Sequence, residues 1–138
     1  AFYLGYYIHL LTDILFTRDI AIPKEKKYSK EFEDNPDFIW IMKEDWYNID
    51  HLYLQRNPDF YTFKVFSAVE EFPNEYLDYY SQTAMIKQIQ YIIDFYKSFD
   101  GQGLDEEYKY LTPAEMDVFV DKACKSIEKR LIEKGILK

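Results

Sequence analysis

Apolar and polar residues alternate along this chain with a helical period, not a strand period. Strict alternation is rare, only four glycines occur, and there is no Asn-Gly or Asp-Gly hairpin turn. The first predicted helix runs from about Phe2 to about Phe16 and is apolar on every side. A helix of that kind is a buried one. The stretch from Thr17 to Asp34 is polar, contains Pro23, and reads as a loop. Asn35-Pro36 then supplies an N-cap and a first-turn proline, opening a second helix that reaches about Arg56. Asn57-Pro58-Asp59-Phe60 repeats the tetrapeptide Asn35-Pro36-Asp37-Phe38 and starts a shorter third helix to about Val69. Recurrent cap chemistry accounts for the repeat.

Pro73 and Asn74 mark a turn. A fourth helix is predicted from about Tyr76 to Phe99 on the apolar stripe Ala84, Ile86, Ile89, Ile92, Ile93 and Tyr96, and Gly101-Gln102-Gly103 ends it. Thr112-Pro113-Ala114-Glu115 is a capping box with proline at the first helical position. The last helix follows to about Lys134, with Gly135 as its C-terminal cap and a seam of Met116, Phe119, Val120, Ala123, Ile127 and Leu131. The expected architecture is all-α: one compact helical domain over residues 1–138 with about five helices. The chain opens at Ala1 inside a core helix without a capping residue. It therefore reads as the C-terminal portion of a longer chain that lacks its N-terminal helices.

Composition narrows the function classes. With 48% apolar and 30% charged residues, the chain is globular rather than disordered. Its 14 Tyr and 11 Phe fit the codon usage of an AT-rich genome, and they also suit an aromatic-rimmed cleft. A net charge of −8 argues against nucleic acid, which needs a basic patch, and against stable residence on an anionic membrane. The basic run Lys24 to Lys30 is broken by Glu25 and reads as a solvated connection. Residues 1–16 are too short to span a bilayer and lack a basic leader. Cys124 is the only cysteine, so an internal disulfide and a multi-cysteine zinc site are both excluded. A reducing, cytoplasmic setting is expected. Cys124 lies in the last helix's seam and reads as a buried structural thiol.

The candidate chemistry starts with His9 and Asp13. Four residues apart on a helix, they share one face and can hold one metal ion. On a buried helix Asp13 needs a hydrogen bond, a charge partner or a cation. The plain alternative is a structural His–Asp hydrogen bond. Gly5, one turn earlier, is a poor helix former and leaves room for a close approach. Asp45 falls inside the apolar arc of Phe38, Met42, Trp46, Ile49, Leu52 and Tyr53, so it also needs a partner. Its two readings are a site carboxylate and a hydrogen bond to a Tyr hydroxyl, a Trp ring N–H or a neighbouring helix. Asp50 flanks that arc as a weaker candidate. His51, with Gln55, repeats the i, i+4 spacing, but its helical angle places it opposite the arc, as a solvated histidine and a reserve metal ligand. No Gly-x-Ser-x-Gly elbow, P-loop or Gly-x-Gly-x-x-Gly turn occurs. An HD-type site would need an adjacent His-Asp pair, and Asp50-His51 has the reverse order.

Ala1 to Asp13, Ala-Phe-Tyr-Leu-Gly-Tyr-Tyr-Ile-His-Leu-Leu-Thr-Asp, resembles the central helix of bacterial zinc-dependent phospholipase C-like proteins. The resemblance implies an all-helical metal-dependent hydrolase of phosphoesters with His9 and Asp13 as ligands. That family also uses a later His-x-x-x-Glu helix. Its nearest match here is His51 to Gln55, where glutamine replaces the acid. Asp45-Trp46-Tyr47 followed by Asp50 looks like a feature of the intracellular, uncharacterised branch. The implied cofactor is zinc, with manganese or iron as alternatives for nitrogen and oxygen ligands. The implied substrate is a small phosphoester or lipid head group, with Asp45 orienting or deprotonating the attacking water. A partner chain covering the first helix is compatible with this reading. The alternative function is a non-catalytic helical interaction module with a structural His9–Asp13 pair.

Overall fold

A computed structural model describes residues 1–101, 103–104 and 107–137. Among them every regular element is helical: α1 (Phe2–Phe16), a π-helical turn (Thr17–Ala21), α2 (Ile22–Lys27), α3 (Ser29–Asp34), α4 (Phe38–Arg56), α5 (Tyr61–Ser67), α6 (Ala84–Lys97) and α7 (Pro113–Glu133). The all-α expectation holds, and the five helices of seven or more residues are those read from the sequence.

Two boundaries differ, each for a physical reason. The polar stretch 17–34 is helical rather than a loop. A proline inside an α-helix has no N–H and crowds the carbonyl four residues back. Here the ladder widens just before Pro23, where the Ile22 N–H donates to the Thr17 carbonyl, five residues earlier. Pro23 then falls in the first turn of α2, where a missing N–H costs little. The second difference is α6, which starts at Ala84 rather than about Tyr76. Buried Asn74 organises the preceding residues: its amide donates to the Leu77 and Tyr80 carbonyls at 2.6 and 2.9 Å, and its oxygen accepts from the Leu77 N–H at 3.1 Å. Such side-chain bonds offer the backbone an alternative to a helix.

The caps follow sequence chemistry at α7 and diverge at the repeated tetrapeptide. Thr112 accepts from the Glu115 N–H, and Glu115 accepts from the Thr112 N–H. At the other end Gly135, at φ 68°, lets the Ile136 N–H reach the Leu131 carbonyl and its own N–H reach that of Ile132. Asn35 caps the entry to α4 by accepting from the Asp37 N–H. Asn57 instead turns its amide back to the Tyr53 carbonyl at the end of α4.

The chain forms two compact units, Ala1–Trp46 with Glu107–Lys138, and Tyr47–Glu106. In the first, α1 packs against α7, and Phe16 lies edge-on to Trp46 and Phe119 at 5.1 and 5.4 Å. Its core includes Leu15, Ile20, Phe38, Met42, Leu111, Phe119 and Leu131. In the second, α5 packs on α6, and Ile49, Leu52, Ile93 and Leu104 are buried. The division falls inside α4, where no glycine or proline marks it. No helix among the described residues is long and apolar enough to cross a membrane.

Candidate functional site

The His9 and Asp13 side chains meet on one face of α1, Nε2 to Oδ2, at 3.3 Å. The spacing thus juxtaposes them as a helix requires, but the environment differs from expectation. Their side chains are 64% and 58% exposed, and Tyr3, Leu4, Leu10 and Ile14 also face solvent. Only Leu15 of α1 is buried. An apolar helix is buried only if neighbours cover all its sides, and within its unit α1 packs on α7. Burial therefore does not force a cation on Asp13; what survives is an open, paired nitrogen and oxygen. The Tyr6 ring lies 6.5 Å from the His9 ring at 25°, and the Phe2 ring continues the stack. Gly5 belongs to the same row as His9 and Asp13, and a Cβ added there would meet nothing within 4 Å. The face is open to a ligand for at least two turns.

Asp45 is 8% exposed, as its place in the apolar arc predicts. Its Oδ2 accepts the N–H groups of Tyr110 and Leu111 at 2.5 and 3.0 Å. The carboxylate is hydrogen-bonded, as one of its readings expected, but its partners are backbone N–H groups of the segment before α7 and not a Tyr hydroxyl, a Trp ring N–H or a helix. The carboxylate ties α4 to the segment entering α7, beside edge-on contacts of Tyr110 with Tyr28 and Phe38.

His51 departs from the solvated position inferred for it. It is only 6% exposed and stacks on Phe99 at 3.8 Å and 10°, with Phe95 and Tyr96 at 5.1 and 5.2 Å. Within the unit Tyr47–Glu106 α4 is buried on more than one side: Ile49 on the apolar arc and His51, about 200° away around the helix, are both buried. Gln55 and Asp100 line the same 280 Å³ cavity. Cys124 departs the other way from the buried thiol expected: it is exposed, because Ala123 takes the inward position on α7.

Burial holds the His51 pKa below its ordinary 6.5. The unfolded chain then binds a proton that the folded chain resists, so stability falls as pH drops below about 6.5. Asp50 has the opposite sign in a lower window. Burial raises its pKa from 3.8 against the lowering effect of the Tyr96 hydroxyl, so its contribution is lost as pH rises through the carboxylate range. Urea midpoints between about pH 7.5 and pH 5.5 should fall more for the native protein than for His51→Phe, which keeps the stack and loses the proton site. Equal slopes would remove His51 from the acid response.

Among the described residues, no three His, Cys, Asp or Glu side chains come together to hold a metal. No third such side chain joins His9 and Asp13 among the described residues. No protein-family model, curated protein or solved structure matches this chain. The ring-lined cavity beside Asp50 has no local signature: Asp50, Tyr53 and Leu54 share a face of α4, but Phe63 of α5 and Tyr96 of α6 join them only through the fold.

Proposed function

We propose that the chain is a metal-dependent phosphoester hydrolase that works at the open face of α1, with zinc as the metal. The observation that carries this reading is the exposed His9–Asp13 pair at 3.3 Å beside the unfilled space at Gly5. His9 would contribute a nitrogen and Asp13 an oxygen, a donor set that suits zinc, and manganese or iron less selectively. A metal bound there would polarise a phosphoryl oxygen and acidify a bound water. The exposed rings of Tyr3 and Tyr6 flank the face and can contact the substrate's organic part. The same positions carry the resemblance to zinc-dependent phospholipase C-like proteins. Asp45 takes no part in the chemistry, since its Oδ2 is committed to two backbone donors. His51 is kept out of the ligand set because it is packed among rings.

The test is hydrolysis of bis(4-nitrophenyl) phosphate with and without added zinc. Zinc-dependent turnover should fall at least tenfold in both His9→Ala and Asp13→Ala, a loss of about 1.4 kcal/mol of transition-state stabilisation or more. Because both side chains are exposed, helical circular dichroism should be unchanged. Turnover that persists in both variants would refute the assignment. A second reading, a non-catalytic interaction module, is favoured by the exposed apolar residues Tyr3, Leu4, Leu10 and Ile14. It predicts no zinc dependence and loss of partner binding in Leu10→Asp.

A further inference from the structure

Four aromatic rings and one carboxylate line a cavity of about 210 Å³ within the unit Tyr47–Glu106. Asp50, Tyr53 and Leu54 reach it from one face of α4, at i, i+3 and i+4. Phe60 comes from the link before α5, Phe63 from α5 and Tyr96 from α6. Tyr53 lies edge-on to Phe60 at 5.2 Å and 87°, and Phe63 edge-on to Tyr96 at 5.8 Å and 80°. The four rings therefore present differently directed faces. The Tyr96 hydroxyl donates to Asp50 Oδ2 at 2.9 Å and fixes the carboxylate at the wall.

No ion pair among the described residues includes Asp50, so the Tyr96 hydroxyl is the partner the cavity wall supplies to its carboxylate. A divalent metal fits poorly, because it needs several oxygen ligands and the rest of the lining is aromatic and aliphatic. A primary ammonium group would bring three N–H donors to a wall with few acceptors. An alkylated ammonium ion has no such demand. Its charge is spread over methyl groups that pack against ring faces, and each face attracts it through the ring quadrupole.

We propose that this cavity binds a small alkylated ammonium ion, with the Tyr53, Phe60, Phe63 and Tyr96 rings against its methyl groups and Asp50 as counter-ion. Burial pushes the Asp50 carboxyl up and the Tyr96 hydroxyl well above its usual value, so the hydroxyl stays a donor and a bound cation relieves the carboxylate. The inference stands apart from the hydrolase reading and survives its failure.

The test is calorimetric titration of the full chain with choline chloride, beside its uncharged isostere 3,3-dimethyl-1-butanol and sodium chloride. Saturable one-site binding of choline is expected, at least tenfold tighter than the alcohol and at least tenfold weaker in Asp50→Asn. If Asp50→Asn fails to fold, Tyr53→Leu decides, since its ring is half exposed; a loss of threefold or more is expected there. Absent binding, equal binding of the alcohol, or full affinity in the folded variants would overturn the proposal.

Discussion

Asp45→Ala is expected to lose about 4 kcal/mol of stability, close to the largest effect a single exchange could have here. The estimate starts from two hydrogen bonds to a charged acceptor, each contributing about 1.5–3 kcal/mol. Both belong to one oxygen, Oδ2, which receives the Tyr110 and Leu111 N–H groups. The Leu111 bond is buried, so alanine would leave its N–H without a partner and without water. Against a typical total of about 5–15 kcal/mol, that loss removes a large share of the folded state. Asp45→Asn should recover part of it, because the amide oxygen still accepts while the charge is gone. Urea denaturation of both variants measures this directly. A loss below about 1 kcal/mol in Asp45→Ala would mean that the segment before α7 is held by other contacts and that Asp45 is free for another role.

Leu111→Ala should cost a similar amount by a different route. Leu111 is one of the two largest fully buried side chains, with no solvent exposure at all. Truncation of such a leucine removes apolar burial and leaves a cavity, at about 3 kcal/mol within a range of 2–5. Its backbone N–H is also an Asp45 partner, so the two sites share one structural element. The double variant should therefore lose less than the sum of the single variants. Once the Asp45 anchor is gone, the Leu111 backbone can shift and collapse the cavity. Additive losses, measured by the same denaturation, would separate the anchor from the core.

These two residues also show where sequence reasoning succeeds and where it stops. Asp45 is legible as a buried carboxylate, because its position in the α4 arc is a matter of helical period. Its partner is not, since nothing local to Tyr110 or Leu111 announces an acceptor 65 residues away. The α7 boundaries were readable from Thr112, Pro113 and Gly135, whose cap chemistry is complete within a few residues. The helical stretch 17–34 was hidden because Pro23 and many charges look like a loop. A π turn just before the proline is a response of the backbone, without a local signature. His51 departs from its expected place for a tertiary reason: the second half of α4 is buried at His51 as well as at Ile49 and Leu52, and one periodic stripe does not describe a helix covered on two sides. For α1, the sequence predicts apolarity correctly, and His9 and Asp13 do share a face. Whether an apolar helix is covered depends on what packs on it, which periodicity does not encode.

The exposed pair at His9 and Asp13 is the centre of the functional account, and its most direct test is metal binding itself. Zinc titration of the purified full chain by calorimetry, beside His9→Ala and Asp13→Ala, reads the site without assuming a substrate. One saturable zinc site is expected in the native protein. Its affinity should fall at least tenfold in each variant while helical circular dichroism is retained. No saturable zinc binding in the folded native protein, or equal affinity in all three proteins, would contradict it.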